Sequence, residues 1–537
     1  MLLRHPTIYL DHTGRTTDAL LVRDGVVAAV GPAAVERHRP EEPVVEPEAA
    51  CLFPGLTDAH AHLWGLGRRA GSVELSGAES WSELLAELRS VDPDDLPAGW
   101  VLGRRWDEHG WPERPGDWRG ALDALFPDTP VCLHRVDHHA VVCNSEALER
   151  AGYTDRELER GLPAGEQESS GGRAVRDADG RLTGLLIDEA MDPVLEAIPP
   201  ADLAEDRRMF RRAADRFLEY GVTCVHIART EVDRLEMVRR MHADGELPLR
   251  MYLLVDGEDD ELAGVLEEGP THDPAGELSV GGVKYFADGA LGSGGALLEG
   301  AYADGESGLA VTSAGALAEH AVELMESGWQ MAVHAIGDRA ARRVLDAYAG
   351  VDREVRDAVR PRLEHAQMLT DADCDRIGEL SCVASIQPIH MYSDAAWADE
   401  VLADDQLDRL FRWRELADRT VLAAGSDFPI EDPNPWHGIA TALSRRDAAG
   451  RVFREGQALT RSQILAAYTT GPAYAAHWEE KLGRLDPGFA ADVIALDRDP
   501  FVEEPESVWN TEVVGMWRAS GGAAKQPSGG AAKRKKA

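Results

Sequence analysis

The chain is 537 residues long, with 56 basic against 95 acidic side chains and a formal charge of −39, and 44% of its residues are hydrophobic. That apolar content can fill a large core and excludes wholesale disorder. The acidic balance argues against a nucleic-acid binder and against docking on an anionic membrane, because both need clustered cations.

Taken in chain order, the first fifty residues read as short strands. Ala19–Val22 and Val26–Val30 flank Asp24-Gly25, a dipeptide suited to a tight hairpin turn. Barrel-type strands are expected at Leu56–Leu63, Val222–Ala228, Leu249–Val255, Val280–Ala287, Gln330–Ala335, Arg362–His365, Val383–Gln387 and Val421–Ala424. Helical stretches such as Ala204–Tyr220, Ala314–Ser327, Arg339–Tyr348 and Ser462–Tyr468 alternate with them. Eight strands with intervening helices predict an α/β fold built on a (β/α)₈ TIM-like barrel. An open doubly wound sheet competes, but no glycine-rich phosphate loop follows the first strand.

The interval from Leu63 to Val222 is too long for one crossover. A large insertion after strand 1, over about residues 66–200, is therefore expected. Trp81, Trp100, Trp106, Trp111 and Trp118 lie within it and Trp64 just before it, out of 13 tryptophans in all. A small aromatic core is the favoured reading, and a lid over an apolar pocket is the alternative. Ala491–Leu496 is again strand-like, so both termini are expected to share a composite β domain, from residues 1–54 and 479–518, around a barrel spanning 55–478. Residues 519–537 are Gly/Ala/Ser-rich with a basic end and read as a disordered tail.

Cys51, Cys132, Cys143, Cys224, Cys374 and Cys382 form no C-x-x-C pair, Arg4 and His5 interrupt the short apolar stretch near Met1, and no run of 18 apolar residues occurs. A reduced, cytoplasmic protein without a membrane span is expected. A homo-oligomeric assembly stays open.

Asp58-Ala59-His60-Ala61-His62 closes the first strand. Side chains at i and i+2 share a face, so two imidazoles would project together. Alone an H-x-H pair says little. Later strands, however, carry Lys284, His334, His365 and Asp427 near their C-terminal ends, where barrels place their chemistry. Together these residues form a candidate metal constellation. Six lysines stand beside 50 arginines, and Lys525, Lys533, Lys535 and Lys536 fall in the last thirteen residues, so only Lys284 and Lys481 lie in the body. A buried strand lysine can lose its proton and take up carbon dioxide as a carbamate, which arginine cannot do. The plain alternative is an ordinary lysine paired with a carboxylate such as Asp288.

With these residues in place the chain resembles the amidohydrolase superfamily of metal-dependent hydrolases, and more closely the branch that includes N-substituted formamide deformylases. The likeness runs over roughly residues 5–518. It rests on FPGLTDAHAHL (Phe53–Leu63), GRRWDEHGWPE (Gly103–Glu113), HHAVVCNSEAL (His138–Leu148), VKYFADGALGS (Val283–Ser293), VHAIGDRA (Val333–Ala340), LEHAQ (Leu363–Gln367), SIQPIH (Ser385–His390), GSDFP (Gly425–Pro429) and LDPGFAADVIALD (Leu485–Asp497). Two departures stand out, His138 in place of a glycine before His139 and the His226-Ile227 pair after the second strand.

The resemblance implies His60, His62, His334, His365 and Asp427 as ligands of one or two divalent ions, zinc being the expected metal, with Lys284 as a bridging carbamate. It implies a small-molecule substrate and hydrolysis of a non-peptide C–N bond, amide or formamide-like, by metal-activated water, with Asp427 as base and then acid. His139, Asn144, Gln387 and His390 are candidate substrate contacts. The plain reading of Asn144 is a helix cap, and of Gln387 a strand end. A deaminase or an ester or lactone hydrolase on the same scaffold, and a catalytically inactive barrel that only binds, are the alternatives. A serine hydrolase is disfavoured because no G-x-S-x-G occurs.

Overall fold

A computed structural model describes residues 1–63, 72–91, 99–109, 111–153, 172–199, 203–273, 275–303 and 305–518. Trp64, the four C-terminal lysines and the expected tail lie outside the described residues.

Eight parallel strands line up in sequence order as β1 (Leu56–Ala61), β2 (Val222–Thr230), β3 (Arg250–Asp256), β4 (Leu278–Phe286), β5 (Gln330–Ala335), β6 (Arg362–His365), β7 (Val383–Ile386) and β8 (Leu422–Ala424). The sheet closes just beyond β8. There Asp427 N donates to His60 O at 2.8 Å and His62 N donates to Phe428 O at 2.6 Å, and Ala61 bridges Phe428 in parallel. The expected strands all exist, and β5 and β6 match residue for residue. Val, Ile, Leu and Met on the outward faces of these strands pack against the surrounding helices in one continuous core.

Strands from residues 1–54 and from 493–517 meet in a second sheet. Val493–Leu496 runs antiparallel to Cys51–Pro54, with Ile494 opposite Phe53, and the sheet continues through Leu2–Tyr9 to Thr16–Arg23 and Val26–Val30. Asp24 and Gly25, which link the last two strands, have φ of 50° and 75°. A two-residue hairpin turn of the primed type requires such left-handed values at both positions.

The segment between β1 and β2 forms a six-stranded sheet of its own, ordered Gly172–Arg176, Leu182–Asp188, Ala140–Cys143, Val131–Arg135, Val101–Trp106 and Val73–Glu74. Four of its tryptophans, Trp81, Trp106, Trp111 and Trp118, pack on one another, and Trp100 sits in a neighbouring apolar cluster. The Trp81 and Trp118 rings are 5.0 Å apart and those of Trp106 and Trp118 5.1 Å, within an apolar cluster that also holds Leu84, Leu122 and Leu133. The favoured aromatic-core reading describes these residues. The sheet also docks on the barrel mouth, where Arg105 Nη1 donates to Ile430 O at 2.7 Å and His109 stacks on Trp397 at 4.1 Å. All six cysteines are free and buried. Among the described residues no helix is long and apolar enough to cross a membrane.

Candidate metal centre

β1 and the turn after β8 build the floor of the site. Asp58 is buried, and its carboxylate accepts from His60 N at 3.0 Å and from Ser426 N at 3.0 Å, tying strand 1 to the closing seam. Gly425 is obligatory here, because a Cβ on it would lie 2.4 Å from His60 N and 2.6 Å from Asp58 Oδ1. The chain then turns through Asp427, whose φ is 58°. That left-handed conformation is costly for a residue bearing a Cβ, and such strain gathers at functional sites.

It aims the Asp427 carboxylate at the histidines. Asp427 Oδ1 is 3.1 Å from His62 Nε2 and 3.3 Å from His60 Nε2, and Oδ2 is 3.7 Å from His390 Nε2. β6 contributes by breaking its own alternation. Leu363 packs outward in the core, so strict period 2 would send His365 outward too. Instead His365 and Ala366 take φ of 69° and 45°, and the His365 ring lies 4.9 Å from that of His60. His60, His365 and Asp427 each offer a ligand atom, all within 4.8 Å of one another.

The remaining expected ligands gather around this triad. The His334 ring is 4.5 Å from the His365 ring, though its Nε2 faces Gly289 O at 3.3 Å and Asp288 Oδ1 at 3.6 Å. Lys284 is wholly buried on β4, and its Nζ has no hydrogen-bond partner. Only the Phe286 ring, 4.4 Å from Nζ, and the field of Glu364 and Asp427 soften the burial, which pushes the amine down to about 8. The alternative partner, Asp288, is already taken by the backbone N–H groups of Leu297, Ile336 and Gly337.

His139 reaches the barrel from the insertion. Its ring is 5.0 Å from that of His334, and its Nδ1 bonds Asp188 Oδ1 at 2.7 Å. His138 before it has φ of 63°, the region glycine occupies freely, which accounts physically for the glycine expected at that position. His390 is buried and stacks toward His365 with rings 5.9 Å apart. Gln387 is buried with both amide atoms unpartnered. It shares strand parity with Ser385, whose Oγ bonds Arg362 inside the barrel at 3.2 Å, so the amide faces the interior.

Asn144 is a correction. It is fully buried, accepts from Val131 N and Ala147 N at 2.9 and 3.0 Å, and donates to Phe126 O and Thr129 O at 2.9 Å each. That exhausts a carboxamide. It caps the helix Ser145–Arg150 and pins the single loop that leads into Val131–Arg135, and nothing remains for a substrate. Asp338, the position bearing on the deaminase alternative, is likewise committed to Glu299 N and Arg409.

Three residues that hold the site escaped sequence reasoning as site members: Glu364, Arg362 and Asp188. Glu364 Oε2 accepts from His60 Nδ1 at 2.5 Å, and Arg362 Nε donates to Glu364 Oε1 at 2.6 Å. The readable signal was the i, i+2 spacing of two charges in a strand expected to be buried on both faces.

Charge states suit a cation. Burial opposes ionisation of Glu364, yet Arg362 and His60 outweigh it and hold the carboxyl well below its usual range. Burial likewise opposes ionisation of Asp427, and the facing His60 and His62 overcome it. Burial holds His334 and His365 neutral. Among the described residues, His60 Nε2, His365 Nδ1 and Lys284 Nζ are buried without hydrogen-bond partners. Orphaned imidazole nitrogens around an ionised carboxylate are the donor set a divalent transition metal takes.

Comparisons with known proteins agree. The profile of the amidohydrolase family matches residues 48–519. YtcJ of Bacillus subtilis (strain 168) is 31% identical, covering 93% of this chain and 94% of its own. The N-substituted formamide deformylase of Arthrobacter pascens is 27% identical over 91% of this chain and 92% of its own. Among solved structures, an uncharacterized metal-dependent hydrolase from Pyrococcus horikoshii OT3 superposes with a TM-score of 0.73 at 26% identity, covering 94% of this chain and 99% of that one.

Proposed function

The chain belongs to the amidohydrolase family, and from that premise we propose that it hydrolyses the C–N bond of a small non-peptide amide, formamide-like in its acyl part, using one or two divalent ions, zinc first. The observation that carries this reading is the set of orphaned nitrogens on His60 and His365 turned toward the ionised Asp427. His60, His62, His334, His365 and Asp427 would hold the metal, with Lys284 joining as a carbamate. When bound, the metal supplies Lewis acidity, lowering the pKa of water and polarising a carbonyl.

The chain's own residues do the rest. Asp427, ionised and held between His60, His62 and His390, would take a proton from the attacking water and deliver it to the departing nitrogen. Water and the amide thereby become a carboxylic acid and an amine. The Lys284 amine, neutral above about pH 8, adds carbon dioxide with loss of one proton, giving an anion where arginine would leave a cation. His139, held by Asp188, and the free amide of Gln387 flank the mouth and can donate to or accept from a bound carbonyl or amide N–H. His390, beside Asp427, lines the leaving-group side.

The test pairs elemental analysis of purified protein with turnover of N-formyl, N-acyl and cyclic amides. At least one equivalent of metal and cleavage of one of these classes are expected, and Asp427→Asn should cut kcat by about 10²–10⁴-fold. Metal below about 0.2 equivalents after metal-supplemented growth would remove the reading, given how tightly such ligand sets hold zinc.

A further inference from the structure

The barrel interior beneath the site holds a polar chain of which only His60 enters the proposed metal centre. His226 on β2, Arg362 and Glu364 on β6 and His60 on β1 are each fully buried. Arg362 Nη1 meets His226 Nδ1 at 3.1 Å, Arg362 Nε meets Glu364 Oε1 at 2.6 Å, and Glu364 Oε2 meets His60 Nδ1 at 2.5 Å. Arg362 Nη2 also donates to Ala59 O at 2.8 Å and to Ser385 Oγ at 3.2 Å, so the guanidinium is braced on three strands. Guanidinium has no acceptor and an ionised carboxylate no donor. Each link therefore has one direction: His226 Nδ1 accepts, Glu364 accepts twice from Arg362 and once from His60, and His60 Nδ1 carries the proton. The outcome is at His60 Nε2, which is left bare of hydrogen bonds and turned toward Asp427.

A buried ion pair of this kind is a poor source of stability, since well-packed apolar residues of similar volume serve as well or better. Its geometry does specify something. It locks one imidazole in one tautomer and one orientation, and it joins that ring to the strand that also supplies His365. We propose that Glu364, braced by Arg362 and His226, is a positioning residue that presents His60 Nε2 for metal binding and sets how tightly the centre holds its ion. The proposal rests on the metal-centre reading above.

It is tested with Zn²⁺ alone, in competition with a chromophoric chelator, on wild type, Glu364→Gln and the double variant Arg362→Met/Glu364→Gln. The double variant keeps the volume and leaves no unpaired buried charge should the single variant fail to fold. Zn²⁺ affinity is expected to fall about 10–100-fold in a folded variant, with a changed visible spectrum after Co²⁺ substitution, which a purely structural loss would not produce. Zn²⁺ affinity within twofold of wild type in either folded variant overturns the proposal. Wild-type protein that binds no Zn²⁺ removes the metal-centre reading instead. A third measurement needs no variant: in ¹⁵N-histidine-labelled, Zn²⁺-loaded wild type, His60 should keep its proton on Nδ1 and bind through Nε2, and the reverse arrangement overturns the proposal.

Discussion

A lysine amine sealed inside a barrel has exchanged its hydration for one aromatic face, and the exchange has a measurable sign. Lys284 titrates near its ordinary 10.5 when unfolded and at about 8 in the fold. Between those values the unfolded chain binds the extra proton, so stability of the metal-free protein should rise with pH across that window. The full rise is roughly 3 kcal/mol for a shift of this size. Thermal melts of metal-free wild type and Lys284→Met at about pH 7.5 and about pH 10 check it, the rise being expected in wild type alone. The same residue gives an activity prediction. Lys284→Arg preserves the positive charge yet should abolish turnover, because guanidinium cannot lose its proton to form a carbamate. Wild-type turnover in that variant would remove the carbamate from the mechanism.

Strand ends, more than strand bodies, make the site. β6 and β8 each end in left-handed backbone, at His365–Ala366 and at Asp427, and both turns swing a ligand candidate into the mouth. The seam between β8 and β1 admits them only because position 425 has no Cβ. Gly425→Ala forces a methyl against His60 N and Asp58 and should cost at least about 2 kcal/mol, read as a lowered melting temperature. The insertion offers a contrasting case. Asn144 spends its whole hydrogen-bonding capacity on backbone, so Asn144→Ala should lower the melting temperature while leaving KM within about twofold, the cap alone being worth about 1 kcal/mol. A KM change larger than the loss of folded protein explains would return Asn144 to the substrate contacts.

At the scale of the whole molecule the net charge adds a self-repulsion that opposes the compact state. A formal charge of −39 on one chain destabilises the compact state and is screened by salt, whose Debye length shortens from about 10 Å at 0.1 M to about 3 Å at 1 M. The melting temperature should therefore rise over that range of sodium chloride. A flat or falling profile in calorimetry would mean that the many surface Arg–carboxylate pairs already balance the field. Three sheets share the load. The terminal sheet ties Cys51–Pro54, which leads directly into β1, to Val493–Leu496, and the inserted sheet caps the mouth through Arg105 and His109.

Local pattern made most of this legible. Apolar runs of four to eight residues separated by amphipathic stretches announce a parallel barrel, because strands buried on both faces and helices buried on one leave different periodicities. His60, His62, Lys284, His334, His365 and Asp427 were visible as polar residues at the ends of such runs, where burial is unusual enough to mark a site. Two kinds of information were absent. A carboxamide such as Asn144 reads the same whether it meets a ligand or backbone, since only folding decides which donors surround it. Glu364 and Arg362 look like an ordinary charged pair until barrel closure brings β1 and β2 across the interior from β6 and leaves them without water. The sequence by itself determined which side chains could bind a cation. Only the tertiary structure decided which nitrogen each turns toward it, because that choice is made by hydrogen bonds between residues more than a hundred positions apart.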